Sequence, residues 1–517
     1  MNFFRRKLKK STFNIGNNNA FTGDMGQLIP FCCREVVPGD KIKGQATVFL
    51  RMAPQLAPIF GRCNLYTHFF YVPFRLLWDN FEKFYTGGED YDKLDDSVKP
   101  YIRLTESKPG SLTDYLGYGV FDDGTAGGTD GYLQLDALYL RAYYKIWNDY
   151  YRNQNIQDPL SFPKTDGLDE TVYSLQLRNW KKDYFTSSLP NTQKGPQVML
   201  PLGESAPVVT TTGSISSTIP LKYGRTDGGS FATGAVNYAG FGADGSATIN
   251  GSTVASTSLS TVYPENLEAD LSQASGSSIN DFRFANKLQQ WMEKNARSGS
   301  RFIDTLLAHF GVRSSDARLQ RAEYLGGGTT PVSFSEVIQT SAGTADSPQG
   351  NMSGHAFSME LSNIFNKYVE EPGVLMGIVS CVPDAMYQQG VSRRLTKTSR
   401  YEYLWPDFVG LGDQAIYNKE IYAKSTEPNG IFGYTGRYDE YRREADEIHG
   451  EFLTSMNYWT LARIFDNEPK LNNDFIKCVP SKRIFPNEDK TLPSLYFSSS
   501  TTLLVRRSLP TVAVPTL

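Results

Sequence analysis

Between Lys41 and Tyr71 the apolar positions fall at every second residue. Val48, Leu50 and Met52 alternate with polar neighbours, Pro54 and Pro58 interrupt, and LYTHFFYV resumes with β-branched and aromatic residues. Period two with this composition predicts strands. The spacing changes after Leu133, where Leu135, Leu138, Tyr139, Ala142 and Ile146 recur at helical intervals and predict an amphipathic helix to about Tyr150 with a polar opposite face. Ser278 and Asp281 supply a helix-starting cap ahead of Phe284, Ala285, Leu288, Trp291 and Met292, and a second helix from Arg301 to Phe310 stops at Gly311. The segment 203–280 is rich in Gly, Ser and Thr and poor in charge, with scattered Val, Ile, Tyr and Phe. That texture predicts short, turn-rich β-structure in an exposed insertion, because disordered segments carry more charge. Beyond Gly311 short segments punctuated by Gly and Pro continue to residue 517, with no fixed-period repeat.

Charge alters this picture at one place. Lys and Arg number 52 and Asp and Glu 55, a net charge of -3 that excludes a globally basic protein and confines any nucleic-acid contact to local patches. The clearest patch is the opening MNFFRRKLKK, where Arg5, Arg6, Lys7, Lys9 and Lys10 predict a basic arm. Phe3, Phe4 and Phe13 are available there to stack on unpaired bases. No apolar region follows, so no export signal is expected. The apolar run Val374–Val382 is far shorter than the about 20 residues that cross a bilayer, and no membrane insertion is expected. The five cysteines, Cys32, Cys33, Cys63, Cys381 and Cys478, form no disulfide-framework spacing and point to a reducing compartment.

Catalytic patterns fail on context. GFGADG at 240–245 fits the dinucleotide-binding glycine spacing, but SATINGSTVAS follows where a helix must receive the phosphate, so a loop is expected. YLGGGTT at 324–330 has no Gly-Lys-Ser/Thr continuation and is expected to form a tight turn. His68, His309, His355 and His449 show no pairing at metal-binding spacing. His309 is expected to be a hydrogen-bonded packing residue, and Cys32 in LIPFCC to be buried. The carboxylates of EYRREADEIHGE at 440–451 are expected on a solvated face. No enzyme activity, cofactor or metal is expected. Aromatic side chains beside carboxylates leave one alternative, a carbohydrate-active β-sandwich protein.

Longer segments carry a resemblance. FTGDMGQLIPFCCREVVPGD (21–40), FFYVPFRLLWDNFEKF (69–84), DYFTSSLPNTQKGPQV (183–198), HFGVRSSDARLQRAEYLGGGTTPV (309–332), DAMYQQGVSR (384–393) and YLWPDFVGLGDQAIYNKEIY (403–422) resemble the major capsid protein of the Microviridae, in particular the gokushovirus-like branch. The chain departs from that pattern at Asn191 and Thr192, where family members often write Trp-Pro, and in its tail SLPTVAVPTL.

The resemblance implies a mainly β fold, an eight-stranded antiparallel viral jelly roll with large loop insertions containing short helices. It divides the chain into a basic arm (1–20), a first core part with a helical insertion (21–202), the surface insertion protruding at the three-fold axes (203–280) and a second core part with the tail (281–517). It further implies self-assembly into a T=1 icosahedral shell enclosing a circular single-stranded DNA phage genome, in virions assembled in the bacterial cytoplasm. The implied partners are further copies of the chain, the genome, minor virion proteins such as an internal DNA-binding protein and a pilot protein, and a host surface receptor met by the insertion.

Overall fold

The computed structural model describes residues 10–87, 96–122, 131–196, 198, 279–299, 301–344, 348–487, 489 and 491–511, together with seven three-residue strands between 208 and 269. The chain divides into two compact units, one of Met1–Lys194 with Lys294–Leu517 and one of Gly195–Glu293. It is mainly β.

Eleven strands form the two main sheets of the first unit: β1 (Ser11–Asn14), β2 (Asn18–Gly23), β3 (Ile29–Val36), β4 (Lys41–Met52), β5 (Cys63–Pro73), β6 (Glu323–Pro331), β7 (Ser333–Ile338), β8 (Met352–Leu361), β9 (Phe365–Tyr368), β10 (Gly373–Pro383) and β11 (Leu495–Arg507). A seven-stranded antiparallel sheet runs β1-β11-β4-β8-β7, with β9 also on β4 and β2 also on β11. Its strands alternate buried and exposed residues, as the period-two pattern of 41–52 predicts. One face of this sheet is therefore dry and the other bare.

The second sheet, β6-β5-β10-β3, is also antiparallel. Its Ile29, Phe31, Leu65, Phe69, Leu375 and Val379 pack in one core with Val48, Leu50, Ala356, Leu495, Leu503 and Val505 of the first sheet. Each fully buried side chain of this size contributes about 1.5–3 kcal/mol. On the opposite face Phe70, Val72, Val374, Met376 and Ile378 pack against the helix Leu138–Ile146. Every residue of β10 is consequently buried. The nearly unbroken apolar run Val374–Val382 is thus a central strand covered on both faces.

Two sequence expectations need correction here. The helix starts at Leu138 because Leu133–Asp136 is a strand paired with Tyr101–Leu104, and Asp136 Oδ1 accepts the Leu138 N–H at 2.9 Å. Its second face is not polar: Arg141, Tyr143 and Tyr144 are buried as well. Tyr143 donates to the Leu28 carbonyl at 2.8 Å, and Arg141 pairs with Asp169 at 2.8 Å. These polar tips satisfy partners in the surrounding wall, which lets the helix be enclosed all round.

YLGGGTT forms no tight turn but lies in β6, paired with β5 through a register shift between Tyr324 and Gly326. A Cβ on Gly327 would stand 2.0 Å from the Thr67 carbonyl oxygen. The glycines therefore serve close strand approach.

The second helix spans Phe302–Phe310 and ends at Gly311 with φ 69°, the left-handed stop that glycine favours. In the second unit the short strands pair among themselves: Val208–Thr210 with Leu267–Ala269, Tyr223–Arg225 with Val262–Pro264, and Ala239–Phe241, Ala247–Ile249 and Ser252–Val254 in one meander. A helix covers Ile279–Ser298; Ser278, the expected cap, lies outside the described residues.

Candidate nucleic-acid interface

The bare face of the seven-stranded sheet carries its charge with one sign. On β4 the exposed side presents Lys41, Lys43 and Arg51, and on β11 it presents Arg506, which pairs in register with Lys41. Among the described residues of that face no Asp or Glu occurs, although the chain as a whole is acidic. Aromatic and apolar side chains stand between the cations: Phe49, Phe357, Tyr368 and Tyr496, with Met359 63% exposed and Leu361 61% exposed. Arg51 lies over the Phe49 ring, 5.9 Å from its centroid. Cations interleaved with open ring faces hold phosphate and stack bases without selecting sequence.

The same sheet fixes where the basic arm departs. Ser11 of β1 pairs with Arg507 of β11, and Lys10 Nζ donates to the Gly39 carbonyl at 3.1 Å. Arg507 in turn forms an ion pair at 2.7 Å with the fully buried Asp40, which also accepts the Val37 N–H at 3.1 Å. The turn ahead of β4 and the arm's exit are therefore locked to one corner, next to Lys41 and Arg506.

Of the arm residues read from sequence, Lys10 is exposed at this corner, while Phe3, Phe4, Arg5, Arg6, Lys7 and Lys9 lie outside the described residues. Phe13 shares a face with Val505, the core side of the sheet, and is half-buried away from the cations. The four sheet cations escaped notice as a group because they come from both ends of the sequence. Their signal was present in KIKGQATVFLR and LLVRR, whose alternation assigns Lys41, Lys43, Arg51 and Arg506 to the polar side.

The remaining motifs sit in ordinary structural settings. GFGADG begins in the strand Ala239–Phe241, and residues 242–246 lie outside the described residues. His309 Nε2 lies 2.7 Å from Asn295 Oδ1. Cys32 is buried in β3, and burial pushes its thiol up to about 11. The charged side chains of 440–451 are mostly exposed, with Glu440 drawn toward Lys397 at 3.4 Å. Among the described residues no three His, Cys, Asp or Glu side chains are grouped to hold a metal, and no helix is long and apolar enough to cross a membrane.

The capsid protein (F protein) family model matches residues 2–517. The chain belongs to that family. This capsid protein is 37% identical to capsid protein VP1 of Bdellovibrio phage phiMH2K over 477 residues, covering 90% of this chain and 88% of the relative. It is 34% identical to capsid protein VP1 of Chlamydia phage 1, covering 98% and 96%. It is 30% identical to capsid protein VP1 of Spiroplasma virus 4, covering 94% and 90%. The expected membership among Microviridae capsid proteins is borne out, and with it a structural role in a bacteriophage virion.

Proposed function

We propose that the chain forms an eight-stranded jelly roll that self-assembles into a T=1 shell around circular single-stranded DNA, with the bare face of the seven-stranded sheet turned toward the genome. The observation that carries this orientation is the difference between the two sheets. The four-stranded sheet is covered on its outer side by the helix Leu138–Ile146 and its surroundings, whereas among the described residues the seven-stranded sheet is uncovered and presents cations without carboxylates. Phosphate neutralisation favours the second surface. The basic residues of the arm, of which Lys10 stands at a corner of that sheet, add to this neutralisation in this reading.

Exposed Leu395, Tyr401, Tyr403 and Trp405, the last half-exposed beside Arg400, suit contacts between copies of the chain. The insertion 203–280 is the outward, host-attaching surface in this reading, at the three-fold axes. An internal DNA-binding protein and a pilot protein complete the virion, which assembles in the bacterial cytoplasm.

The test combines particle size with a salt series. Native protein should sediment as a particle of a few megadaltons, on the order of the mass expected for a closed icosahedral homo-oligomer; a 57.8 kDa monomer under all conditions sinks the shell. Single-stranded DNA binding by the unassembled chain should weaken with salt. The variant K41Q/K43Q/R51Q/R506Q should lower the log-log slope by about 2.8, and removal of residues 1–10 by about 3.5, from about 0.7 per phosphate contact. An unchanged slope in the quadruple variant removes the sheet from the interface.

A further inference from the structure

A cavity of about 710 Å³ opens on the side of the four-stranded sheet away from the shared core. It is distinct from the cationic face described above. Tyr66 and Phe70 of β5 reach it, while their neighbours Leu65 and Phe69 point into the sandwich. Arg152, Arg178 and Arg301 line it, and among the described residues none of the three forms an ion pair. Their hydrogen bonds go to neutral acceptors: Arg152 to the Gln157 carbonyl at 3.2 Å, Arg178 to Ser380 Oγ at 2.9 Å and Arg301 to the Arg152 carbonyl at 2.8 Å. Arg297 and Lys181, which also line the cavity, are by contrast paired with Asp413 and Asp384. Asp304 is the one carboxylate on the lining.

The wall also holds unused donors. Arg152 Nε, Arg301 Nε and Ser298 Oγ are buried without a partner among the described residues. Burial holds the Arg152 and Arg301 guanidinium groups below their ordinary pKa; Asp158 and Asp149 oppose this at Arg152, and at Arg301 Asp304 and Asp149 oppose it while the charges of Arg321 and Arg152 add to it. Cations held without a direct ion pair in a partly desolvated wall are costly, and an anion seated between them offsets that cost. Another part of the lining is aromatic. Tyr66, Tyr151 and Tyr324 line it, and the Arg178 guanidinium sits 3.8 Å from the Tyr66 ring centroid. His68 bonds Tyr151 through Nδ1 at 2.7 Å and, being neutral, brings no further charge.

We propose that this cavity binds a nucleotide, with its phosphate toward Arg152 and Arg301 and its base against the tyrosine wall. Guanidinium forks match phosphate oxygens, and base-sized rings stack on tyrosine. The volume falls within the range of small-molecule sites. This does not rest on the orientation of the shell, because the residues involved share none with the cationic sheet face or the arm.

The experiment is calorimetric titration of the full-length, unassembled chain with dTMP, thymidine and inorganic phosphate. One dTMP should bind per chain, at least about tenfold tighter than either fragment, since each fragment uses one wall alone. In R152Q/R301Q the dTMP affinity should fall to that of thymidine while thymidine binding stays unchanged. A 5′-phosphorylated thymidine tetranucleotide distinguishes the sources: displacement of dTMP assigns the end of a strand, and failure to displace it assigns the free nucleotide. Absence of saturable dTMP binding by the unaltered chain, or equal affinity for dTMP and thymidine, overturns the proposal. Both readings come from the unaltered chain, so a variant that fails to fold leaves the test intact.

Discussion

Cys63 and Cys381 hold their sulfur atoms 3.2 Å apart across the neighbouring strands β5 and β10, inside the core that the two sheets share. Both are thiols, as are Cys32, Cys33 and Cys478. The contact with Cys381, followed by burial, raises the Cys63 thiol well above its ordinary range. Burial does the same to Cys478. Thiolate is the reactive form, so the folded chain should react with Ellman's reagent at about pH 8 at least tenfold more slowly than a free peptide thiol. All five should react after denaturation, and dithiothreitol should leave the melting temperature unchanged. A marked fall in melting temperature with reductant would reveal a structural disulfide instead.

Arg141 and Asp169 form an ion pair with both side chains fully buried. Tyr173 donates to the same carboxylate at 2.8 Å, and Arg141 also reaches the Leu77 carbonyl at 3.2 Å. Removing one partner strands a buried charge, so R141L or D169N should cost about 3–5 kcal/mol in urea unfolding. The double variant R141L/D169L should recover part of that loss. Burial alone would raise the Asp169 carboxyl, yet hydrogen bonds from Thr171, Arg141 and Tyr173 together hold it below its ordinary value. Its contribution is present above the usual carboxylate range and is lost as pH falls through the depressed value. A D169N variant with unaltered stability at neutral pH would contradict this.

His68 adds a second acid-sensitive element. Burial, with the Arg178 charge assisting, pushes its pKa down to about 3. The unfolded imidazole takes up a proton near pH 6.5, whereas the folded one does not, so its contribution is complete above about 6.5 and is lost progressively as pH falls toward about 3. H68N should show a shallower decline of stability across that window than the unaltered chain. Equal slopes would place the acid sensitivity in the carboxylates alone.

The insertion should be separable from the core. Val208 and Ala269 are paired partners of one antiparallel ladder, so the chain enters and leaves this part of the second unit at adjacent points. A short Gly-Ser linker joining them spans about the 4.5–5.5 Å between paired strands. Circular dichroism and thermal melting should show a folded, soluble protomer, and attachment to host cells should be lost. Recovery of aggregated chain alone would make the insertion part of the core.

How much of this was legible in the sequence depended on whether the signal was local. The alternation of 41–52 and the glycine stop at 311 were readable because strand faces and helix ends are written in neighbouring residues. Leu133–Asp136 was misread because Leu135 fits both periods, and the decision fell to pairing with Tyr101–Leu104, some thirty residues earlier, about beyond any local window. Gly327 was misread for the same reason, since its meaning lies in the Thr67 carbonyl of another strand. G327A should therefore destabilise the protomer, where a turn glycine of ordinary φ would tolerate alanine. The cavity arginines carried no sequence signal, because Arg152, Arg178 and Arg301 meet only in the folded chain.

The pairing of β11 with β4 and β1 also sets a timetable for synthesis. Arg507 and its partner Asp40 are 467 positions apart. A ribosome adding about 5–20 residues per second takes roughly 20–90 s to cover that distance. For that interval the edge of β4 that β11 later occupies has no neighbour to pair with, and until Pro383 is made its apolar face has no finished partner sheet. The nascent chain must be shielded from its siblings, which emerge nearby with the same open edge. Chaperone depletion during expression should thus harm yield far more than chaperone addition to the finished protein improves it.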